Sequence, residues 1–142
     1  MKINLFRFLV LATVALVLAS TAYAQGVNVR AKVPFQFVLG DKTYPAGEYN
    51  VQTITDSKFI LRLTNTDAKD WVVTYSHPTI SLIPAKQTVL VFHRRGTTYF
   101  LYRVWSAESS VGREFSRSRT ETRMALNTTS AGTVIVAANV VN

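Results

Sequence analysis

The sequence predicts an all-β fold: a small antiparallel sandwich or barrel of seven to nine strands, with one short helix near the C-terminus, behind a cleaved signal peptide. Three observations carry that prediction. Short runs of alternating apolar and polar residues recur along the chain, and period-two alternation marks a half-buried strand. Turn-forming residues separate these runs at intervals of about eight to twelve positions, as in sandwiches and small barrels. The stretch Thr88–Trp105 concentrates β-branched and aromatic residues on either side of Arg95-Gly96, which reads as a central hairpin.

The N-terminal segment is set aside first. Lys2 and Arg7 give a positive start, Phe8–Ala19 is an apolar run, and Ala22-Tyr23-Ala24 fits the small-x-small cleavage rule. Residues 1–24 are therefore expected to be a signal peptide, and residues 25–142 a single β-rich domain. The apolar run falls short of the roughly 20 residues a membrane-spanning helix needs. No Cys follows it to take a lipid, and the chain has no Cys at all, which excludes thiol catalysis, thiolate metal sites and disulfides. Loss of Lys2 and Arg7 lowers the formal charge of +8 by two, so the mature chain stays basic. An exported basic protein is expected to meet an anionic envelope or extracellular polymer, or another protein chain, rather than nucleic acid. No integral membrane segment is expected after cleavage.

The strands follow in order. Val27, Val29, Ala31 and Val33 alternate with Asn28, Arg30 and Lys32 until Pro34 offsets a second segment, Phe35–Leu39. Gly40-Asp41-Lys42 and Tyr44-Pro45-Ala46-Gly47 are turns. Glu48–Thr55 directs Tyr49, Val51 and Thr53 one way. After Asp56-Ser57-Lys58, the next strand directs Phe59, Leu61 and Leu63 to one face. Trp71–His77 is expected to turn Trp71, Val73 and Tyr75 to the core and to end at Pro78, with a short strand Thr79–Ile83 after it. In the hairpin, an Arg95-Gly96 loop would set Arg94 opposite Thr97, Phe92 opposite Tyr99 and Leu90 opposite Leu101. Both hairpin faces are then apolar, so something must cover the second one. Ser118-Arg119-Thr120-Glu121 reads as a capping box opening a helix to about Asn127, with Met124, Ala125 and Leu126 as its apolar contribution. Thr133–Val140 is a last strand, apolar on both sides.

Sites are sparse. His77 and His93 lack metal-ligand spacing. The aspartates fall in turns, Glu121 is taken by its cap, and no carboxylate pair, nucleophile elbow or phosphate-binding loop is present. No catalytic, cofactor-binding or metal-binding residue is assigned, and no cofactor is expected. The one constellation is basic. Arg94 and Arg95 at the hairpin tip, with Arg113, Arg117, Arg119 and Arg123 beyond it, form a candidate anion-binding surface. Arg119 and Arg123 share a helix face, and Arg suits bidentate contact with phosphate, sulfate or carboxylate.

Three ordered motifs stand out: Val33-Pro34-Phe35-x-Phe37-x-x-Gly40-x-x-x-Tyr44-Pro45-Ala46-Gly47-x-Tyr49, Leu90-x-Phe92-x-Arg94-x-Gly96-x-x-Tyr99-Phe100-Leu101-x-x-Val104-Trp105, and Gly112-Arg113-Glu114-Phe115-x-x-Ser118-x-x-Glu121. In this order the chain resembles a group of uncharacterised small exported proteins of environmental bacteria, over about Val27 to Leu126. The resemblance implies a compact β-rich exported domain and supplies no catalytic residue. The expectation is a non-enzymatic periplasmic or extracellular module that is structural or binds a partner. The alternative is a small β-barrel carrier of an apolar ligand. An outer-membrane barrel is disfavoured because the strands are shorter than a span requires.

Overall fold

The computed structural model describes residues 26–54 and 59–141. The expected signal peptide and the expected turn at Asp56-Ser57-Lys58 lie outside the described residues. Within them the chain is all-β with a single short helix. Eleven strands, more than the seven to nine expected, run in the order β1 (Asn28–Val33), β2 (Phe37–Leu39), β3 (Lys42–Tyr44), β4 (Gly47–Thr53), β5 (Ile60–Asn65), β6 (Asp70–Ile80), β7 (Val89–Arg95), β8 (Thr98–Trp105), β9 (Val111–Phe115), then helix α1 (Arg119–Asn127), β10 (Ala131–Ala137) and β11 (Asn139–Val140). The excess arises because short pieces on either side of turns pair separately, as β2 does with β3.

The hydrogen-bonded path is β10-β7-β8-β9-β6-β5-β4-β1-β11, and it is not closed into a barrel. Two sheets share one long strand. The first half of β6, Asp70–Tyr75, pairs with β5, and the second half, Ser76–Ile80, pairs with β9. Ser76 marks the change of partner: it is buried, and both its N–H and its hydroxyl donate to the Phe59 carbonyl, at 2.7 and 3.1 Å. At the other seam the C-terminal run does the same. Ala131–Ala137 pairs with β7, Ala138 N–H donates to Thr88 O, and Asn139–Val140 pairs with β1. All ladders are antiparallel except the short contact of β2 with β8.

The core lies between the sheets. Period-two burial is clean on β1, where Val29, Ala31 and Val33 are buried, on β4 with Tyr49 and Val51, and on β5 with Leu61 and Leu63. At Pro34 the chain leaves β1 and Phe35 turns inward, stacking on Tyr99 with ring centroids 4.1 Å apart and meeting Phe92 edge-on at 5.1 Å. Phe37 meets Tyr44, Tyr49 and Phe92 at 5.0 to 5.5 Å. Aromatic side chains in mutual contact therefore fill this end of the interior.

Two expectations for β6 are corrected. The strand runs on through Pro78 to Ile80 instead of ending at His77. Only β9 pairs with this half, so one edge of the strand is free, and a proline without an N–H is tolerated there. Its phase is also reversed: Trp71, Val73 and Tyr75 are exposed, and Ser76 is the buried residue. The inward positions Val72 and Thr74 stand opposite the large Leu63 and Leu61, so the smaller set fits inside. Trp71 instead lies on the outer surface with the Arg62 guanidinium 5.5 Å from its ring.

Candidate binding face

The hairpin β7–β8 sets the two faces of the second sheet. Its loop is Gly96-Thr97, one residue later than the sequence suggests, with Arg95 opposite Thr98, Arg94 opposite Tyr99 and Phe92 opposite Leu101. Gly96 takes φ +60°, the conformation a glycine-first hairpin turn requires. A register shift then skips Tyr102, so Leu90 faces Val104. This bulge moves Val104 to the core face with Leu90, Phe92 and Leu101. The outer face carries Val89, Val91, His93, Phe100, Arg103 and Trp105.

The sheet's second face is half covered. Helix α1 crosses the tip half. Ser118 caps it, its hydroxyl accepting from Glu121 N–H at 3.0 Å, as the sequence predicts. The reciprocal half of the capping box is not made. The Glu121 carboxylate turns into the sheet, where Oε1 lies 2.8 Å from His93 Nδ1, and Glu121 is buried. The His93 ring stacks on Tyr102 at 3.7 Å. Arg103 holds Glu114 through Nε at 2.8 Å and Nη2 at 2.7 Å, and donates to the Tyr102 hydroxyl at 2.6 Å. Burial, and then the hydrogen bond with Glu114, push the Tyr102 phenol above its ordinary range.

The base half stays open. Val89, Val91, Trp105 and Ile135 floor a groove of about 520 Å³, and Ser81, Ile83, Ala85, Lys86 and Gln87 wall it. That wall is held in place by the neighbouring Ser106–Ser110 loop. Ser81 N–H donates to Ser110 O, Ala85 N–H to Ser109 O, and Glu108 N–H to Ala85 O, at 2.7 to 3.1 Å. The Trp105 indole lies against Gly112, where a Cβ would come within 2.7 Å of the ring. Beside the groove Leu82 and Ile83 are exposed, Leu82 fully so.

The six arginines do not form one patch. Arg94 and Arg95 are at the hairpin tip, and Arg117, Arg119 and Arg123 are exposed at and along α1. Glu121, Met124 and Ala125 face the sheet, so helical spacing turns Arg119, Arg123 and the exposed Leu126 outward together. Arg113 departs from the set. It alternates with Glu114 on β9 and so faces the opposite side, 6.0 Å from the Phe59 ring, where burial lowers its pKa. Sequence reasoning missed the groove, because its floor and walls come from three separate segments, and missed His93–Glu121, because Glu121 carried a ready local explanation.

Among the described residues no three His, Asp or Glu side chains come together as metal ligands, and no helix is long and apolar enough to cross a membrane. His77 Nε2 lies 3.3 Å from Ser116 Oγ, both exposed, and the cross-strand neighbour Glu114 is held by Arg103. No family model, curated protein or solved structure matches the chain.

Proposed function

We propose that this protein is a non-enzymatic exported β-domain that works as a binding module in the cell envelope or outside the cell. The observation that carries the reading is the half-covered second sheet: a preformed apolar groove beside exposed Leu82 and Ile83, on the same face as the outward arginines of α1. Contiguous exposed apolar surface of this kind marks an interaction site rather than ordinary surface. Export rests on the N-terminal pattern of Lys2, Arg7, the apolar run and Ala22-Tyr23-Ala24.

The test is cosedimentation of the exported protein with envelope fragments from its source, wild type against Val91→Lys. Val91 lies in the groove floor and is half-buried, so lysine there obstructs the groove. Loss of retention by the variant, with mature protein beginning at Gln25, supports the reading. Equal retention of both forms, or an unprocessed chain kept in the cytoplasm, overturns it. A second reading, carriage of an apolar ligand, draws on the same groove, whose volume lies within the range of small-molecule sites. A lipid or pigment that co-purifies with the native protein and is absent from Val91→Lys would favour it.

A further inference from the structure

We infer that the outer face of the second sheet docks on an anionic lipid surface: Leu82 and Ile83 enter the acyl region, the groove takes a lipid chain, and Lys86, Arg119 and Arg123 meet phosphates. This rests on the binding-module reading above and names its partner.

Three observations converge on it. The first is the loop. Leu82 and Ile83 are 100% and 73% exposed, and a lone exposed Leu is ordinary while two adjacent apolar side chains at an apolar groove are not. The loop holds its apolar tip outward by design of its bonds: Ser81 Oγ donates to Ile83 O and accepts from Ile83 N–H, and the backbone is tied to Ser109 and Ser110. Exposure there is a fixed geometry.

The second observation is the groove. Its floor of Val89, Val91, Trp105 and Ile135 carries no charge, and Lys86 is the charged residue among its lining. An aliphatic chain on such a floor ends beside an ammonium group.

The third is the sign of the charge on this face. Arg119 and Arg123 point outward from α1 with Leu126, which is 83% exposed. Of the acidic groups on this side, Glu114 is paired with Arg103, and Glu121 lies buried beneath the helix against His93. Glu108, on the neighbouring loop, remains exposed. Apolar residues flanked by basic ones on one face are how proteins lie on anionic membranes without spanning them.

Vesicle cosedimentation of the processed protein tests this directly. Vesicles of phosphatidylcholine alone are compared with vesicles containing phosphatidylglycerol, across a salt series. Binding to the anionic vesicles is expected to be stronger by about tenfold or more, and to weaken with salt. Leu82→Asp with Ile83→Asp should abolish it. Lys86→Ala with Arg119→Ala and Arg123→Ala should weaken it and flatten the salt dependence. All five side chains are at the surface, so unchanged circular dichroism and thermal midpoint show that the variants fold. Equal binding to both vesicle types, or binding indifferent to Leu82 and Ile83, overturns the inference. No vesicle binding together with Val91-dependent retention on envelope fragments overturns it too, while leaving the binding module intact with a protein or glycan partner. Absence of both removes both readings.

Discussion

The Glu121 carboxylate reaches 2.8 Å from His93 Nδ1 across the gap between α1 and β7, with only 4% and 14% of the two side chains exposed. This contact fastens the single helix to the sheet and closes the tip half of the outer face. A buried carboxylate needs a partner, because stripping its water without replacement costs several kcal/mol. His93→Ala should therefore destabilise the domain by about 3 kcal/mol in urea titrations. Glu121→Gln should cost less, since the amide still bonds the imidazole. A double-mutant cycle should return a coupling energy well above zero; purely additive losses would mean the contact is incidental.

Gly112 and Trp105 make a second sharp prediction. A methyl group at Gly112 would press into the indole at 2.7 Å, so the ring or β9 must shift to admit it. Gly112→Ala should cost about 1–3 kcal/mol and shift the Trp105 environment. In a Trp71→Phe background Trp105 is the sole tryptophan, so its emission maximum should move red as the ring is displaced.

Asn65 organises the end of the first sheet. It is buried, its Oδ1 accepts from Asp67 and Ala68 N–H at 2.9 and 3.0 Å, and its Nδ2 donates to the Tyr49 hydroxyl, which in turn donates to Pro45 O at 2.6 Å. Asn65→Ala strips partners from three groups at once. The expected loss is about 2 kcal/mol, read as a lower denaturation midpoint with an unchanged slope.

Three phenols buried wholly or in part should make the fold less stable at alkaline pH. Burial raises the phenols of Tyr44, Tyr49 and Tyr102 above their ordinary value of about 10. A raised folded-state pKa means the native state holds the proton more tightly than the unfolded chain. Their contribution is complete below about pH 10 and is lost as pH rises through the folded values. Denaturation midpoints should be flat from pH 8 to 9.5 and fall above it, together with phenolate absorbance. Tyr49→Phe should soften the fall, and a midpoint indifferent to pH up to 11.5 would contradict the assignment.

Period two made β1, β4 and β5 legible, because each has one face in the core and one in water, and the Ser118 cap announced α1 locally. The errors share a cause: information held in pairing partners rather than in the strand itself. Trp71, Val73 and Tyr75 outrank Val72 and Thr74 in apolar bulk, yet Leu61 and Leu63 already occupy the interior opposite them. The hairpin slip arose at the turn, where Gly96 opens the loop instead of closing it, and the bulge at Tyr102, which no Gly or Pro marks, then shifted the register again. The groove was foreshadowed by the doubly apolar hairpin, but its wall at Ser81–Gln87 read only as the end of a short strand. The arginine set was visible as a count, and the alternation of β9 removed Arg113 from it.

The run Ala131–Val141 is the last described part of the chain, and it is bonded to both β7 and β1. Asn28 Nδ2 donates to Val141 O across 113 residues of sequence, and Val141 N–H donates back to Asn28 O. Strand β1 is held on one edge by the nearby β4, and its other edge is completed only by β11, the last strand of the described residues. One short segment thus covers two strand edges at once, that of β7 and that of β1, and removing it would bare an edge in each sheet.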